Sequence, residues 1–92
     1  MAALSNQEIK SKLISVPDWQ MESGELVRTF LFKDFRASLR FVNEIGELAE
    51  QAGHHPDIDI RYNKVRLALV THDAGGITEK DFDLAAKADG LC

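Results

Sequence analysis

The three histidines of this chain all lie between positions 54 and 72, as the pair His54-His55 followed by Pro56, and then His72. Histidine is the side chain whose unperturbed pKa, about 6.5, lets it accept and release protons near neutral pH. Pro56 keeps His55 out of the helical region of backbone space, which fixes the direction of the two imidazoles. A cluster of this kind predicts an acid–base site.

Two other interpretations of the histidine cluster remain open from the residues alone. Three histidines can ligate zinc, but no cysteine lies near them and the His-His dipeptide lacks the usual ligand spacings, so we expect no metal. A histidine after a helix can also simply interact with the helix dipole, although the grouping of all three favours a site. Glu50 lies one helical turn before His54, where its carboxylate can orient an imidazole.

A long amphipathic helix is predicted directly before the histidine pair. Asp34 is a favourable N-cap residue, and Gly53 is well placed to end the helix after about Ala52. Apolar residues recur every three or four positions and define the face that is expected to pack on a sheet. These residues are Phe35, Leu39, Val42, Ile45 and Ala49.

Two strands are predicted after the pair, joined by a turn at Asn63-Lys64. Residues 57–62 alternate between polar and apolar side chains, which is typical of a strand with one buried face. Residues 65–72 form the second strand, and His72 is its last residue. If this hairpin packs beside the end of the long helix, His72 comes near the histidine pair.

The remaining segments complete an α+β pattern. Ser5 caps a first helix that ends near residue 15, and Thr78 caps a last helix that ends at Gly90. Between the first two helices, residues 19–22 and 25–33 form a hairpin. The order α-β-β-α-β-β-α predicts a single two-layer domain over residues 1–92, with helices packed on one face of a four-stranded antiparallel sheet.

Charge and composition argue against several classes of function. The net charge of −4 and the pI near 5.2 argue against a nucleic-acid binder that neutralises phosphates. No stretch approaches the roughly 20 apolar residues that cross a bilayer, and the N-terminus lacks signal-peptide features. Cys92 is the one cysteine, so no intrachain disulfide is possible and a reducing compartment is expected. These features predict a cytoplasmic protein that binds neither nucleic acid directly nor a membrane.

Three further features have both a structural and a functional interpretation. The Gly75-Gly76 pair can cradle a phosphate, but turn geometry is the simpler explanation. We expect Trp19 to be a buried core residue rather than a side chain that stacks on a ligand. The five phenylalanines fit apolar positions and are all expected in the core: Phe30, Phe32, Phe35, Phe41 and Phe82.

Taken in order, these residues resemble the pterin-4a-carbinolamine dehydratase family, from about Trp19 to Asp89. No single motif is specific, but the ordered set at these spacings is. The motifs are Phe32-Lys33-Asp34-Phe35, Ala49-Glu50, His54-His55-Pro56, Tyr62-Asn63-Lys64-Val65, Leu69-Val70-Thr71-His72-Asp73, Gly75-Gly76, Asp81 and Leu84-Ala85.

The resemblance implies an enzyme that dehydrates 4a-hydroxytetrahydrobiopterin to quinonoid dihydropterin in tetrahydrobiopterin recycling, with no metal or organic cofactor. By similarity, His54, His55 and His72 are the catalytic set, with His54 and His72 the best candidates for proton transfer and His55 for holding the pterin. Lys80 departs from the best-known members, which have arginine there; lysine keeps the charge but lacks the planar fork. The resemblance assigns substrate binding to Glu50, Pro56, Trp19 and Lys80.

The resemblance also implies self-association as a homodimer or a homotetramer. Some animal members are dimerisation partners of a homeodomain transcription factor, so a coactivator-type interaction protein is the alternative, with a nuclear location if the source is an animal. A pterin-related role in molybdopterin metabolism is a third hypothesis.

Overall fold

The chain folds into one four-stranded antiparallel sheet with three helices, so the predicted α+β class and the order of elements are confirmed. The structure is a computed structural model that describes residues 2–92. The strands lie in the order β1-β2-β4-β3, and every neighbouring pair is antiparallel. The elements are α1 (Asn6–Leu13), β1 (Gln20–Glu22), β2 (Glu25–Leu31), α2 (Phe35–Ala52), β3 (Asp57–Arg61), β4 (Lys64–Leu69), a 3-10 turn (His72–Ala74) and α3 (Glu79–Asp89).

The helix ends lie where the local sequence predicts them. Ser5 and Glu8 form a capping box at α1, and their hydrogen bonds lower the pKa of the Glu8 carboxyl from its ordinary value. Asp34 accepts a hydrogen bond from the backbone N–H of Ala37 at the start of α2. Gly53 ends α2 with φ of 62°, a left-handed conformation that glycine adopts without steric cost.

The core lies between the two central strands, β2 and β4, and the helices α2 and α3. Burial of these apolar side chains is the main favourable contribution to folding. The apolar side chains Phe82, Leu84, Ala85 and Ala88 of α3 are all buried. The central core residues are Leu26 and Phe30 of β2, Val65, Leu67 and Leu69 of β4, Phe41, Ile45 and Ala49 of α2, and Phe82, Leu84, Ala85 and Ala88 of α3.

The predicted buried face of α2 is wrong at its N-terminal end. Phe35 is 46% exposed and Leu39 is 39% exposed, whereas Ser38 and Phe41 are buried. The prediction that all five phenylalanines lie in the core therefore fails at Phe35. The apolar stripe of α2 is wider than the contact with the sheet, and its uncovered edge borders a cavity that Tyr62 also lines.

The prediction of a buried face for β3 is also wrong. All five residues of β3 are exposed, and Ile58 and Ile60 are 38% and 36% exposed. β3 is exposed because it is an edge strand, whereas the helices cover the two central strands. The turn after β3 lies at Tyr62-Asn63, one residue earlier than predicted, and Tyr62 has φ of 53°.

The strand that leads to His72 is shorter than predicted. β4 ends at Leu69, and His72 begins the 3-10 turn instead of ending the strand. Among residues 2–92, no helix is long and apolar enough to span a bilayer.

Candidate active site

The three histidines line one cavity of about 270 Å³. The residues that line it come from the end of α2, from the segment after β4 and from the first turn of α3, so three separate parts of the chain build the site. The lining residues are Gly53, His54, His55, Val70, Thr71, His72, Asp73 and Lys80.

The end of α2 sets the direction in which the histidine pair leaves the helix. The left-handed Gly53 turns the chain, and the backbone N–H of His54 donates to the carbonyl of Ala49, 3.1 Å away. These bonds satisfy carbonyls that a helix end otherwise leaves without partners. The pair therefore starts from a fixed backbone position.

A closed loop places His72 in the wall of the cavity. Thr71 and Gly76 form an isolated antiparallel bridge, and the backbone N–H of Thr71 donates to the carbonyl of Gly76 at 3.0 Å. Gly75, with φ of 73°, takes the left-handed conformation inside this loop. The Gly75-Gly76 pair thus serves the turn geometry that its structural interpretation predicts.

A buried carboxylate holds His54. The Nε2 atom of His54 lies 2.5 Å from Oδ1 of Asp81, whose side chain is fully buried. An ionised Asp81 accepts a hydrogen bond from Nε2–H, so that in the neutral ring Nδ1 is the nitrogen without a proton. This contact fixes both the tautomer and the orientation of the imidazole.

The second oxygen of Asp81 is also fully engaged. Its Oδ2 accepts hydrogen bonds from the Thr71 hydroxyl at 2.8 Å and from the backbone N–H of Thr78 at 2.9 Å. No buried side-chain N or O atom within residues 2–92 lacks a partner. A fully satisfied polar network in a low-dielectric interior is rigid, because each lost bond leaves a costly unpaired group.

Asp81 is the site residue that sequence reasoning missed. Its spacing from Thr78 identifies it as the third helical residue, N3, of a capping box, and the structure confirms that local role. The contact with His54 joins positions 27 residues apart, and no local pattern encodes it. The only signal available was the appearance of Asp81 in the ordered set of family motifs.

His55 is paired with a different carboxylate. Its Nε2 lies 2.5 Å from Oε2 of Glu50, and both side chains are well exposed, at 61% and 74%. Glu50 therefore orients His55 rather than His54. An exposed side-chain contact of this kind contributes little to stability, so its effect is on the position of the His55 ring.

Three lining side chains form no side-chain hydrogen bond or ion pair within residues 2–92: His72, Asp73 and Lys80. All three are exposed. The cavity therefore presents an imidazole, a carboxylate and an ammonium group that are available to a ligand.

Trp19 and Pro56 do not line this cavity. The Trp19 ring is buried, packs edge-on against Phe30 with the centroids 6.0 Å apart, and donates from Nε1 to Asp89 at 2.8 Å. This contact supports the core interpretation of Trp19. The substrate-binding roles of Trp19 and Pro56 stay predictions.

Metal binding has no support in the geometry of the described residues. Within positions 2–92, no group of three or more His, Cys, Asp or Glu side chains is arranged to hold a metal ion. The Nε2 atoms of His54 and His55 instead contact two separate carboxylates. The arrangement can hold one imidazole rigidly beside a second, unpaired imidazole, which suits proton transfer at a bound ligand.

Comparison with known proteins assigns a family to this fold and site. The chain matches the family described as pterin 4 alpha carbinolamine dehydratase over residues 2–91. A protein of Acidobacterium capsulatum, provisionally named a pterin-4-alpha-carbinolamine dehydratase, is 58% identical over 91 residues, which cover 99% of each chain.

Two solved structures have a similar fold. A transcriptional coactivator/pterin dehydratase from Brucella melitensis is similar with a TM-score of 0.93 and 32% identity, covering 97% of each chain. A pterin dehydratase-like protein identified as a RuBisCO assembly factor in the alpha-carboxysome is similar with a TM-score of 0.65 and 26% identity, covering 79% of this chain and 84% of that one.

Proposed function

This chain belongs to the pterin 4 alpha carbinolamine dehydratase family, and from that premise we propose that it dehydrates a 4a-hydroxytetrahydropterin by histidine acid–base catalysis. The observation that carries the proposal is the pairing of His54 with the buried Asp81 at a cavity that His72 also lines. Such a cavity offers one oriented imidazole and one free imidazole to the same ligand.

The reaction needs two proton transfers, which is why two imidazoles matter. The bond between C4a and its hydroxyl oxygen breaks, and that oxygen leaves as water after it takes up a proton. The neighbouring ring nitrogen, N5, loses a proton as the double bond to C4a forms. A positioned acid and a positioned base each accelerate such steps by about 10²- to 10⁴-fold.

We assign these transfers to His54 and His72, and the holding of the pterin to His55 and Lys80. An ionised Asp81 accepts a hydrogen bond from Nε2–H of His54, which favours one tautomer of the ring. We therefore assign proton exchange with the substrate to its Nδ1. Glu50 positions the His55 ring from the last turn of α2. The product is quinonoid dihydropterin, and the biological role proposed is tetrahydrobiopterin recycling in the cytoplasm without a bound cofactor.

The loss of the ultraviolet signal of 4a-hydroxypterin tests this activity. Added protein is expected to accelerate the loss above the uncatalysed rate. Lys80→Gln is expected to raise KM, because it removes a cation from the cavity wall, whereas Lys87→Gln, outside the cavity, serves as the matched control. A rate that does not depend on protein concentration contradicts the proposal.

We also propose that two copies associate through the edge strand β3. An exposed edge carries unpaired backbone groups that can pair with another strand. Antiparallel pairing of β3 with its symmetry mate, centred on Ile60, sets Asp59 opposite Arg61 of the partner subunit and brings the two copies of Ile60 together. This register matches opposite charges and covers exposed apolar side chains, as an isologous interface requires.

A second candidate function is the binding of another protein, as the descriptions of the two structural neighbours suggest for those proteins. Its specific support here is a cavity of about 480 Å³ lined by Asp34, Phe35, Arg36, Leu39 and Tyr62, where apolar side chains are exposed. Partner binding there is expected to survive the loss of His54 and His72, whereas dehydratase activity is not.

A further inference from the structure

The segment before α1, residues 3–5, lies against the end of the loop that carries His72 (residues 71–76). The backbone N–H of Leu4 donates to the carbonyl of Ile77, the buried residue directly after this loop, at 2.7 Å. The Leu4 side chain also packs against the hydrophobic core. Residues this far from the centre of a domain are usually poorly ordered unless contacts hold them. The segment is therefore tied to the loop by its backbone and to the core by a side chain.

A close contact joins the same segment to Gly76. A methyl group added at Gly76 would lie 3.1 Å from the Cβ atom of Ala3, which is closer than two such atoms normally approach. The glycines with positive φ among residues 2–92 are Gly24, Gly53 and Gly75, so the backbone of Gly76 does not itself require glycine. Besides its place in the turn, Gly76 therefore leaves the space that Ala3 occupies.

The contact at Gly76 reaches both of the histidines assigned to proton transfer. Thr71 and Gly76 exchange backbone hydrogen bonds in both directions, at 3.0 and 3.3 Å. Thr71 directly precedes His72, and its hydroxyl donates to Asp81, the carboxylate that holds His54. A displacement of Gly76 is therefore passed through Thr71 to the surroundings of both imidazoles.

An ion pair connects α1 to the helix that completes the cavity. The Nζ atom of Lys12 lies 2.6 Å from Oε1 of Glu79, in the first turn of α3, and the next residue, Lys80, lines the cavity. Both partners of the pair are partly exposed, so it adds little to stability. Its consequence is geometric, because the chain before and within α1 contacts both the loop and the helix of the cavity wall.

We propose that Ala3 and Leu4 are positioning residues, which set the place of His72 relative to His54 by packing against Gly76 and Ile77. Neither residue lines the cavity, so both act through the loop. This inference rests on the proposed function, because it concerns the placement of the histidines that transfer protons. Proton transfer is sensitive to such placement, since a shift of about 1 Å can cost roughly 10²-fold in rate.

The experiment adds a methyl group at the contact and then makes room for it. Gly76→Ala is expected to lower kcat about 10-fold, whether the loop or the segment yields. The double variant Gly76→Ala/Ala3→Gly, in which the opposing methyl group is absent, is expected to recover the kcat of Ala3→Gly. Gly46→Ala is the matched control, because a methyl group there meets no neighbouring atom within 4 Å, and it is expected to keep kcat.

Ala3→Val crowds the same contact from an exposed position. It tests the inference independently of whether Gly76→Ala folds, and its kcat is expected to fall as well. A segment that contributes to stability alone would lower the unfolding temperature of these variants and leave kcat unchanged at temperatures well below unfolding.

A second measurement does not depend on activity. The ring C–H resonances of His72 in the NMR spectrum are expected to shift in Gly76→Ala and to return in the double variant. The resonances of His55 are the internal control, because Glu50 of α2 orients that ring, and they are expected to stay in place.

The two measurements separate this inference from the proposed function. If folded Gly76→Ala and Ala3→Val keep both kcat and the His72 resonances, the positioning inference is wrong although the dehydratase proposal stands. If the unchanged chain does not accelerate the reaction, but the His72 resonances shift in Gly76→Ala and return in the double variant, the positioning of His72 stands and the proposed function is wrong.

Discussion

The Nε2 atom of His54 lies 2.5 Å from Oδ1 of Asp81, which makes a helix-capping carboxylate the partner of a cavity imidazole. Asp81 satisfies the N-terminus of α3 with one oxygen and orients His54 with the other. The stability of α3 and the geometry of the site are therefore coupled through one buried side chain.

Replacement of Asp81 by asparagine tests this coupling. Asp81→Asn is expected to lower kcat on the order of 10²-fold. A neutral amide lacks the negative charge that favours a proton on Nε2 of His54 and stabilises the imidazolium. It is also expected to destabilise the fold by about 1–3 kcal/mol, since a buried hydrogen-bond network is disturbed. Steady-state kinetics and thermal unfolding measure the two effects.

Thr71→Val is the matched comparison for Asp81→Asn. It removes the hydroxyl that donates to Oδ2 but leaves the carboxylate beside His54. We expect a smaller loss of kcat than for Asp81→Asn. If both variants lose stability alike but retain the original kcat, Asp81 has a structural role only.

Trp19→Phe separates the core interpretation of Trp19 from a role in substrate binding. The indole N–H donates to Asp89, which also pairs with Arg28 at 2.6 Å. Loss of the indole donor is expected to cost about 1 kcal/mol of stability and to leave KM unchanged, because Trp19 does not line the cavity. Denaturant unfolding and steady-state kinetics measure these effects. A raised KM at unchanged stability would show that Trp19 contributes to substrate binding.

Ile60→Lys tests self-association through β3. The substitution places a charge at the centre of the proposed register and is expected to shift the protein towards the monomer in sedimentation velocity. Ile14→Lys is the matched control, because Ile14 is 81% exposed at the end of α1 and lies outside the sheet. Equal sedimentation of both variants and the unchanged protein would exclude this edge as the interface.

The local sequence predicts the ends of the elements well because their signals are local. Ser5, Asp34, Gly53 and Thr78 each act on backbone groups within a few residues, so their roles are confirmed without knowledge of the rest of the fold. The same is true of the alternating pattern that makes β3 a strand.

The predictions of burial and of side-chain contacts fail where they depend on which helices and strands pack against each other. Phe35 and Ile45 both belong to the predicted apolar face of α2, yet only Ile45 is buried in the core. Ile60 alternates as a buried residue would, but the strand order puts β3 at the edge. The contact of Asp81 with His54 likewise depends on how α3 packs, and no periodicity encodes that.

The most direct test of the proposed chemistry is the rate at which 4a-hydroxypterin loses its ultraviolet signal with His54→Ala/His72→Ala protein. Stopped-flow measurement at equal protein concentrations is expected to show acceleration by the unchanged chain and the uncatalysed rate with the double variant. Circular dichroism checks that the double variant keeps its fold. A folded double variant that accelerates the reaction as much as the unchanged protein would contradict proton transfer by these two histidines.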